Sequence, residues 1–218
     1  MVFQWFFWVL AAYLLGSVPF GKLISKRVAH IDITKRGSGN IGATNVAREV
    51  GIKWGLLTLL LDVLKGFIPV ILFARYASQA APGHEIGLSA VGLSALLGHQ
   101  FSLFLRFRGG KGVGPALGIY LAISPLSALL ALLFFILIVY KWDFVSLGSI
   151  ISVAAVPILL AIFGKPLPAF IGAVIAATLI CLKHRENIQR LVNGQEIKWR
   201  DRGSQASSSK RRSNSSSE

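Results

Sequence analysis

The chain has 218 residues, and 54% are hydrophobic with its 22 glycines left out of that count; the mean hydropathy is +0.64. Soluble domains reach about 45–50% apolar only with glycine included, so a soluble globular fold is excluded. The net charge of +14 would point a soluble chain toward nucleic acid, but here the charges are wedged between apolar runs. No nucleic-acid partner is expected, and the cations are assigned to membrane orientation and to anionic ligands or lipid headgroups.

A bilayer core about 30 Å thick takes roughly 20 apolar residues per helix. The chain therefore reads as an all-α polytopic membrane protein, a single domain over 1–202 with no room for a separate soluble unit. Seven apolar segments follow in order: 3–24, 54–76, 86–107, 113–124, 126–140, 144–163 and 167–182. The first is not a signal peptide, since no Lys or Arg precedes it and no soluble chain follows. The fourth and fifth are short, and Ser124-Pro125 divides them into half-length helices or kinks one long helix. Charge separates the two counts. With the N-terminus outside, seven spans place all but three of the 23 Lys and Arg on the inner side, as the positive-inside bias requires. The exceptions are Arg75 and Lys165 outside and Lys65 within the second span. Six spans would put the basic tail and the basic 22–53 loop on opposite faces. The C-terminus is thus expected in the cytoplasm. The Ser-rich basic tail, 203–218, is expected to be disordered and near anionic lipid.

Polar, glycine-rich motifs punctuate the runs, and seven spans bring them to the inner face. Gly16-Ser17-Val18-Pro19-Phe20-Gly21 ends the first. Residues 37–48, GSGNIGATNVAR, follow. Gly98-His99-Gln100 then leads to Arg106-Phe107-Arg108-Gly109-Gly110-Lys111-Gly112, and His184-Arg185-Glu186-Asn187 closes the last run. Glycine lets backbone N–H groups approach a ligand, and successive N–H groups make concave anion sites. Ser38, Thr44 and Asn45 add neutral donors, and Arg48 and Lys111 add fixed positive charge. The combination suits phosphate.

Two nucleotide signatures are decoys. Residues 37–42 spell GxGxxG, but no strand precedes them. Gly110-Lys111-Gly112 lacks the earlier glycine and the Ser or Thr of a Walker loop. Asp62 and Lys65 share one face of the second span and read as a structural pair orienting the motif loops. His84 reads as an outer-loop residue without a role; His99 and His184 lie near the inner boundary. Cys181, the single cysteine, reads as a small core residue, which leaves no disulfide or multi-cysteine metal site. No cofactor and no metal is expected.

With these motifs in hand, the chain resembles the bacterial acyl-phosphate–glycerol-3-phosphate acyltransferases. GSVPFG, GSGNIGATNVAR, GHQFSLFLRFRGGKGVG and HRENIQRLVNG match in order from about residue 14 to 199, and LLLDVLKG in the second span is similar too. The resemblance implies a seven-helix inner-membrane enzyme that moves a fatty acyl group from acyl-phosphate to the 1-hydroxyl of glycerol 3-phosphate. It also implies a soluble enzyme that supplies the acyl-phosphate. By motif position, Ser38, Arg48 and Lys111 look like the central catalytic residues. Thr44, Asn45, Gly109, Gly110, Gly112, His184 and Asn187 look like substrate contacts, and Ser149 resembles a further one. Ser102 stands where the family's pattern has a proline. On this reading Lys111, the 109–112 amides and Ser38 hold the acyl-phosphate, and Arg48 with Ser149 holds glycerol 3-phosphate. The rival reading is an organophosphate transporter, which should hold its polar groups near the bilayer midplane in repeated halves. No repeat is visible.

Overall fold

The computed structural model describes residues 2–79 and 81–201. The expected disordered tail, 203–218, lies outside the described residues. Within them the chain is helical, without strands: α1 Val2–Ser17, α2 Phe20–Ala29, α3 Ala43–Glu49, α4 Ile52–Tyr76, α5 His84–Gln100, α6 Val113–Ile123, α7 Pro125–Trp142, α8 Val145–Ile162, α9 Leu167–Lys183 and α10 Arg185–Val192. Short 3-10 turns occupy Ile33–Lys35 and Leu103–Leu105.

The expected segments all become helix, with differences at their ends. The first breaks at Val18-Pro19, where proline supplies no N–H, and continues as the basic α2 as far as Ala29. The third ends at Gln100 and enters a 3-10 turn. Ser124 is extended (φ −151°, ψ 85°) and Pro125 takes the first helical position, so α6 and α7 are two helices, as the steric demand before proline dictates. Among the described residues, five stretches are long and apolar enough to cross a membrane: Trp5–Ala29, Ile52–Tyr76, His84–Leu105, Pro125–Trp142 and Val145–Ile162. α9 and α10, bent by 62°, qualify only as a pair. α6 has 11 residues, about 16 Å at 1.5 Å per residue, half the depth of the hydrocarbon layer.

Where no water competes, helices associate through close backbone approach and internal hydrogen bonds. Small residues supply the approach twice. A Cβ on Gly98 of α5 would collide with the Tyr13 carbonyl of α1, and a Cβ on Gly118 of α6 would collide with the Val63 carbonyl of α4. Between these pairs lies the core, with Ala12, Val70, Phe73, Val91, Ala95 and Leu96 fully buried. Outward faces carry exposed Leu56, Leu60, Leu129, Leu133 and Ile136, suited to lipid.

Carbonyls freed at the α1–α2 break find partners inside the protein, as a waterless setting demands. Ser102 Oγ donates to Ser17 O at 2.5 Å. Lys65 Nζ donates to Val18 O at 2.9 Å and lies 3.0 Å from Asp62 Oδ1, so the expected α4 pair forms. His84 differs from expectation: it begins α5 and its ring stacks on Phe73, centroids 5.3 Å apart.

Gly118→Val tests the small-residue contact. Overpacking of this kind costs about 1–3 kcal/mol, so the thermal midpoint in detergent should fall by several degrees; an unchanged midpoint would show that α4 and α6 do not meet there.

Candidate functional site

The polar motifs collect at one end of the bundle, where α1, α5, α7 and α9 finish and α4, α6 and α8 begin. Three chain segments build a site there: 33–49, 99–112 and 184–197.

The first segment is folded around one side chain. Asp32 Oδ1 caps the turn by accepting from Thr34 N and Thr34 Oγ1 at 3.1 and 2.7 Å. Gly37 and Gly39 then take left-handed conformations (φ 53° and 68°), which glycine adopts without the Cβ penalty. Asn45, 3% exposed, holds the loop shut. Its Nδ2 donates to the carbonyls of Asn40, Arg36 and Ile33 at 2.9, 3.0 and 3.4 Å, and its Oδ1 accepts from Ser38 N at 3.1 Å. Asn45, expected as a substrate contact, directs both polar atoms of its side chain into the loop. Ser38 is exposed at the loop's tip. Thr44 and Arg48 follow on α3.

The second segment is a double-glycine loop laid on the end of α5. Gly110 N donates to His99 O at 3.0 Å, and Gln100 Nε2 donates to Lys111 O at 2.8 Å. Gly112 is left-handed (φ 95°) and opens α6. The loop is thus fixed by Gln100 and by the Ser102–Ser17 bond.

The third segment supplies the partner for the cations. Lys111 Nζ donates to Asn187 Oδ1 at 2.5 Å, and Asn187 Nδ2 donates to Glu196 Oε1 at 2.6 Å. Ser146 Oγ also donates to Glu196 Oε1, at 2.7 Å, and Arg190 Nε to Glu196 Oε2, at 2.8 Å. Arg48 Nη2 reaches Ile197 O at 3.3 Å, and its Nε is buried without a hydrogen-bond partner among the described residues. Arg48 and Lys111, 63 positions apart by their numbers, are close enough to feel each other's charge.

The electrostatics follow from burial. Lys111 is pushed down to about 8, chiefly by burial and against the pull of Glu196. Burial also lowers Arg48, opposed by the Glu196 charge. For Glu196 burial alone would raise the pKa; hydrogen bonds from Ser146, Asn187 and Arg190 overcome it and hold the carboxyl below its ordinary value. His184 is buried at the end of α9, and its Nδ1 lies 2.8 Å from Ile180 O. Burial first, then Lys111, brings it down to about 4, so at neutral pH it is uncharged and donates through Nδ1 to that carbonyl.

Of the expected residues, Arg48, Lys111, His184 and Asn187 converge, with Gly109, Gly110 and Gly112 framing Lys111 and the Ser38 loop standing beside Arg48. Ser149 is buried, and its hydroxyl bonds to Val145 O within α8 at 2.8 Å; Ser146, one turn earlier, reaches the cluster instead. Glu196, Ser146 and Arg190 were not singled out from the sequence, and Gln100 was named only as part of its motif. Among the described residues no group of three or more His, Cys, Asp or Glu stands where a metal would sit. Two clustered cations, a glycine loop and neutral donors at the end of an apolar bundle are chemistry suited to an anion.

A protein-family model described as glycerol-3-phosphate acyltransferase matches residues 6–194. A glycerol-3-phosphate acyltransferase of Geotalea daltonii is 50% identical over 188 residues, 86% of this chain and 94% of the relative. One of Trichlorobacter lovleyi is 47% identical, covering 89% of this chain and 97% of the relative. Two crystal structures of PlsY (YgiH), an integral membrane glycerol 3-phosphate acyltransferase, superpose with TM-scores of 0.84 and 0.83 at 40% identity. They cover 89% of this chain and 95% of theirs, one in the glycerol 3-phosphate form and one in the lysophosphatidic acid form.

Asn45→Asp tests the loop's organisation. The substitution sets a carboxylate oxygen against three carbonyls in a buried position, and leaving such groups unpaired costs about 1–3 kcal/mol each. Thermal midpoint and turnover should both drop sharply; a variant as stable and active as wild type would remove Asn45 from that role.

Proposed function

The chain belongs to the glycerol-3-phosphate acyltransferase family, and from that premise we propose that its acyl donor is acyl-phosphate and its products are lysophosphatidate and inorganic phosphate. The observation that carries this reading is the approach of Lys111 and Arg48, both half-buried, to one polar cluster at the end of the apolar bundle. Two cations in one pocket suit two phosphorylated substrates held side by side. The relatives solved as glycerol 3-phosphate and lysophosphatidic acid forms supply the acceptor and the product of the same reaction.

Acyl-phosphate is already activated, so the enzyme has to align two anions and stabilise the charge that develops on the carbonyl oxygen and the departing phosphate. The 1-hydroxyl oxygen of glycerol 3-phosphate forms the new bond to the carbonyl carbon while the carbon–phosphate oxygen bond breaks. Lys111, the 109–112 amides and Ser38 hold the acyl-phosphate, and Arg48 holds the phosphate of the acceptor, with the Thr44 hydroxyl one turn away on α3. The acyl chain lies between helices, open to lipid.

The hydroxyl proton needs an acceptor. Glu196 is occupied by three hydrogen bonds and is a weakened base. His184, neutral and turned through Nδ1 to a carbonyl, serves as a hydrogen-bonding group. The proton therefore passes to the departing phosphate. The bundle sits in the bacterial inner membrane with the site facing the cytoplasm, and a soluble enzyme delivers the acyl-phosphate. The transporter reading is weakened because the polar, glycine-rich motifs gather at one end.

Two outcomes test the charge clamp. Lys111→Ala should lower kcat/KM by two or more orders of magnitude, about 2.7 kcal/mol of transition-state stabilisation, in detergent with acyl-phosphate and glycerol 3-phosphate; a loss below tenfold would refute the clamp. Because Lys111 must be protonated and titrates near 8, wild-type kcat/KM should fall as pH rises through about 8. Lys111→Arg should shift that limb upward, and a limb that stays in place would assign it to another group.

A further inference from the structure

Resting on the acyl-transfer reading above, we propose that Asp62 and His99 are positioning residues: their contact, deep in the bundle, is the platform that sets the Lys111 loop.

A pair serving only to neutralise itself needs no third group, yet this one has one. Asp62 and Lys65 are 5% and 1% exposed, in the middle of α4. Asp62 Oδ1 lies 3.0 Å from Lys65 Nζ and 3.7 Å from His99 Nδ1. His99 is itself 2% exposed, and its Nδ1 has no hydrogen-bond partner among the described residues. A buried ring nitrogen without a partner is costly. A carboxylate standing across from it favours the tautomer with the proton on Nδ1, the arrangement by which carboxylates orient imidazoles elsewhere.

The opposite edge of the ring carries the loop. Nε2 packs against Gly110 so closely that a Cβ there would collide with it, and a Cβ on Gly109 would collide with the His99 carbonyl. That carbonyl accepts from Gly110 N at 3.0 Å. The next residue continues the grip: Gln100 Nε2 holds Lys111 O at 2.8 Å, and Lys183 Nζ holds Gln100 O at 3.0 Å. On the far side, Lys65 is tied to Val18 O at the α1–α2 break. An unbroken line of contacts therefore runs from the helix break through Lys65, Asp62 and His99 to the double glycine and Lys111. The requirement for two glycines follows from it, because a side chain at either would displace the ring or its carbonyl.

The test uses the full-length protein in detergent with three readouts: thermal midpoint, amide hydrogen exchange of the 103–113 peptide, and kcat/KM with acyl-phosphate and glycerol 3-phosphate. Asp62→Ala/Lys65→Met removes both charges, so no lone charge is left buried. It should keep a midpoint within a few degrees of wild type while the peptide exchanges at least tenfold faster and kcat/KM falls at least tenfold. Asp62→Asn/Lys65→Met restores an acceptor oxygen for His99 Nδ1 and should recover both quantities to within about threefold of wild type. His99→Leu, which leaves the ion pair intact, should reproduce the loosened loop and the lost activity. The platform is overturned if exchange or kcat/KM in the Ala/Met variant stays within twofold of wild type. It is equally overturned if Asn restores nothing, or if His99→Leu leaves the loop unchanged. Wild-type protein that makes no lysophosphatidate from acyl-phosphate would strike the acyl-transfer reading instead, and the exchange comparison would still decide the platform.

Discussion

The Glu196 carboxylate is the interaction on which the polar end of the molecule depends. Lys111, Arg48 and Arg190 share a partly buried volume, and like charges held together out of water repel strongly at low dielectric. Glu196 offsets them while bonding to Ser146 of α8, Asn187 of α10 and Arg190. One anion thereby joins the start of α8 to α10, and through Asn187 to the α6 loop; its field reaches α3 through Arg48. The neighbouring Ile197 carbonyl takes the Arg48 guanidinium. With a net positive field left over, the pocket remains suited to phosphate.

The same rule, that polar groups in a waterless bundle must be answered by the chain itself, explains the layer beneath. The break at Val18-Pro19 frees carbonyls, and Ser102 and Lys65 take them. Lys65 in turn requires a counter-charge, which Asp62 provides. Small residues at Gly98 and Gly118 bring the helices close enough for these side chains to reach. Apolar packing positions the helices; the polar contacts set the register of the loops.

Much of this was legible from residue order. Apolar runs bounded by charge marked the helices, and Ser124-Pro125 marked the boundary between α6 and α7. The motifs carrying Arg48, Lys111, His184 and Asn187 proved neighbours at one end of the bundle. Other features were hidden for physical reasons. Glu196 lies in a charged, apolar-poor stretch that reads as solvated surface, and only the return of the chain onto α8 makes it a counter-ion. Asn45 has the side chain of a ligand contact, but the same amide groups serve a turn equally well, and the folded loop uses them there. Ser146 and Ser149 sit one turn apart on the same helix; which hydroxyl reaches the cluster depends on the helix's rotation, which periodicity does not resolve. The 62° bend before α10 left no mark beyond the end of an apolar run.

The central claim is that the segments bearing Arg48 and Lys111 form one pocket, which requires them to lie on one side of the membrane. Because Cys181 is the single native cysteine, single cysteines can be placed at the exposed Ser38 and Arg108 in a Cys181→Ser background. Each variant is then labelled with a membrane-impermeant maleimide in sealed vesicles of known orientation. Labelling of both from the same, cytoplasmic side is the predicted result; labelling from opposite sides would contradict the account.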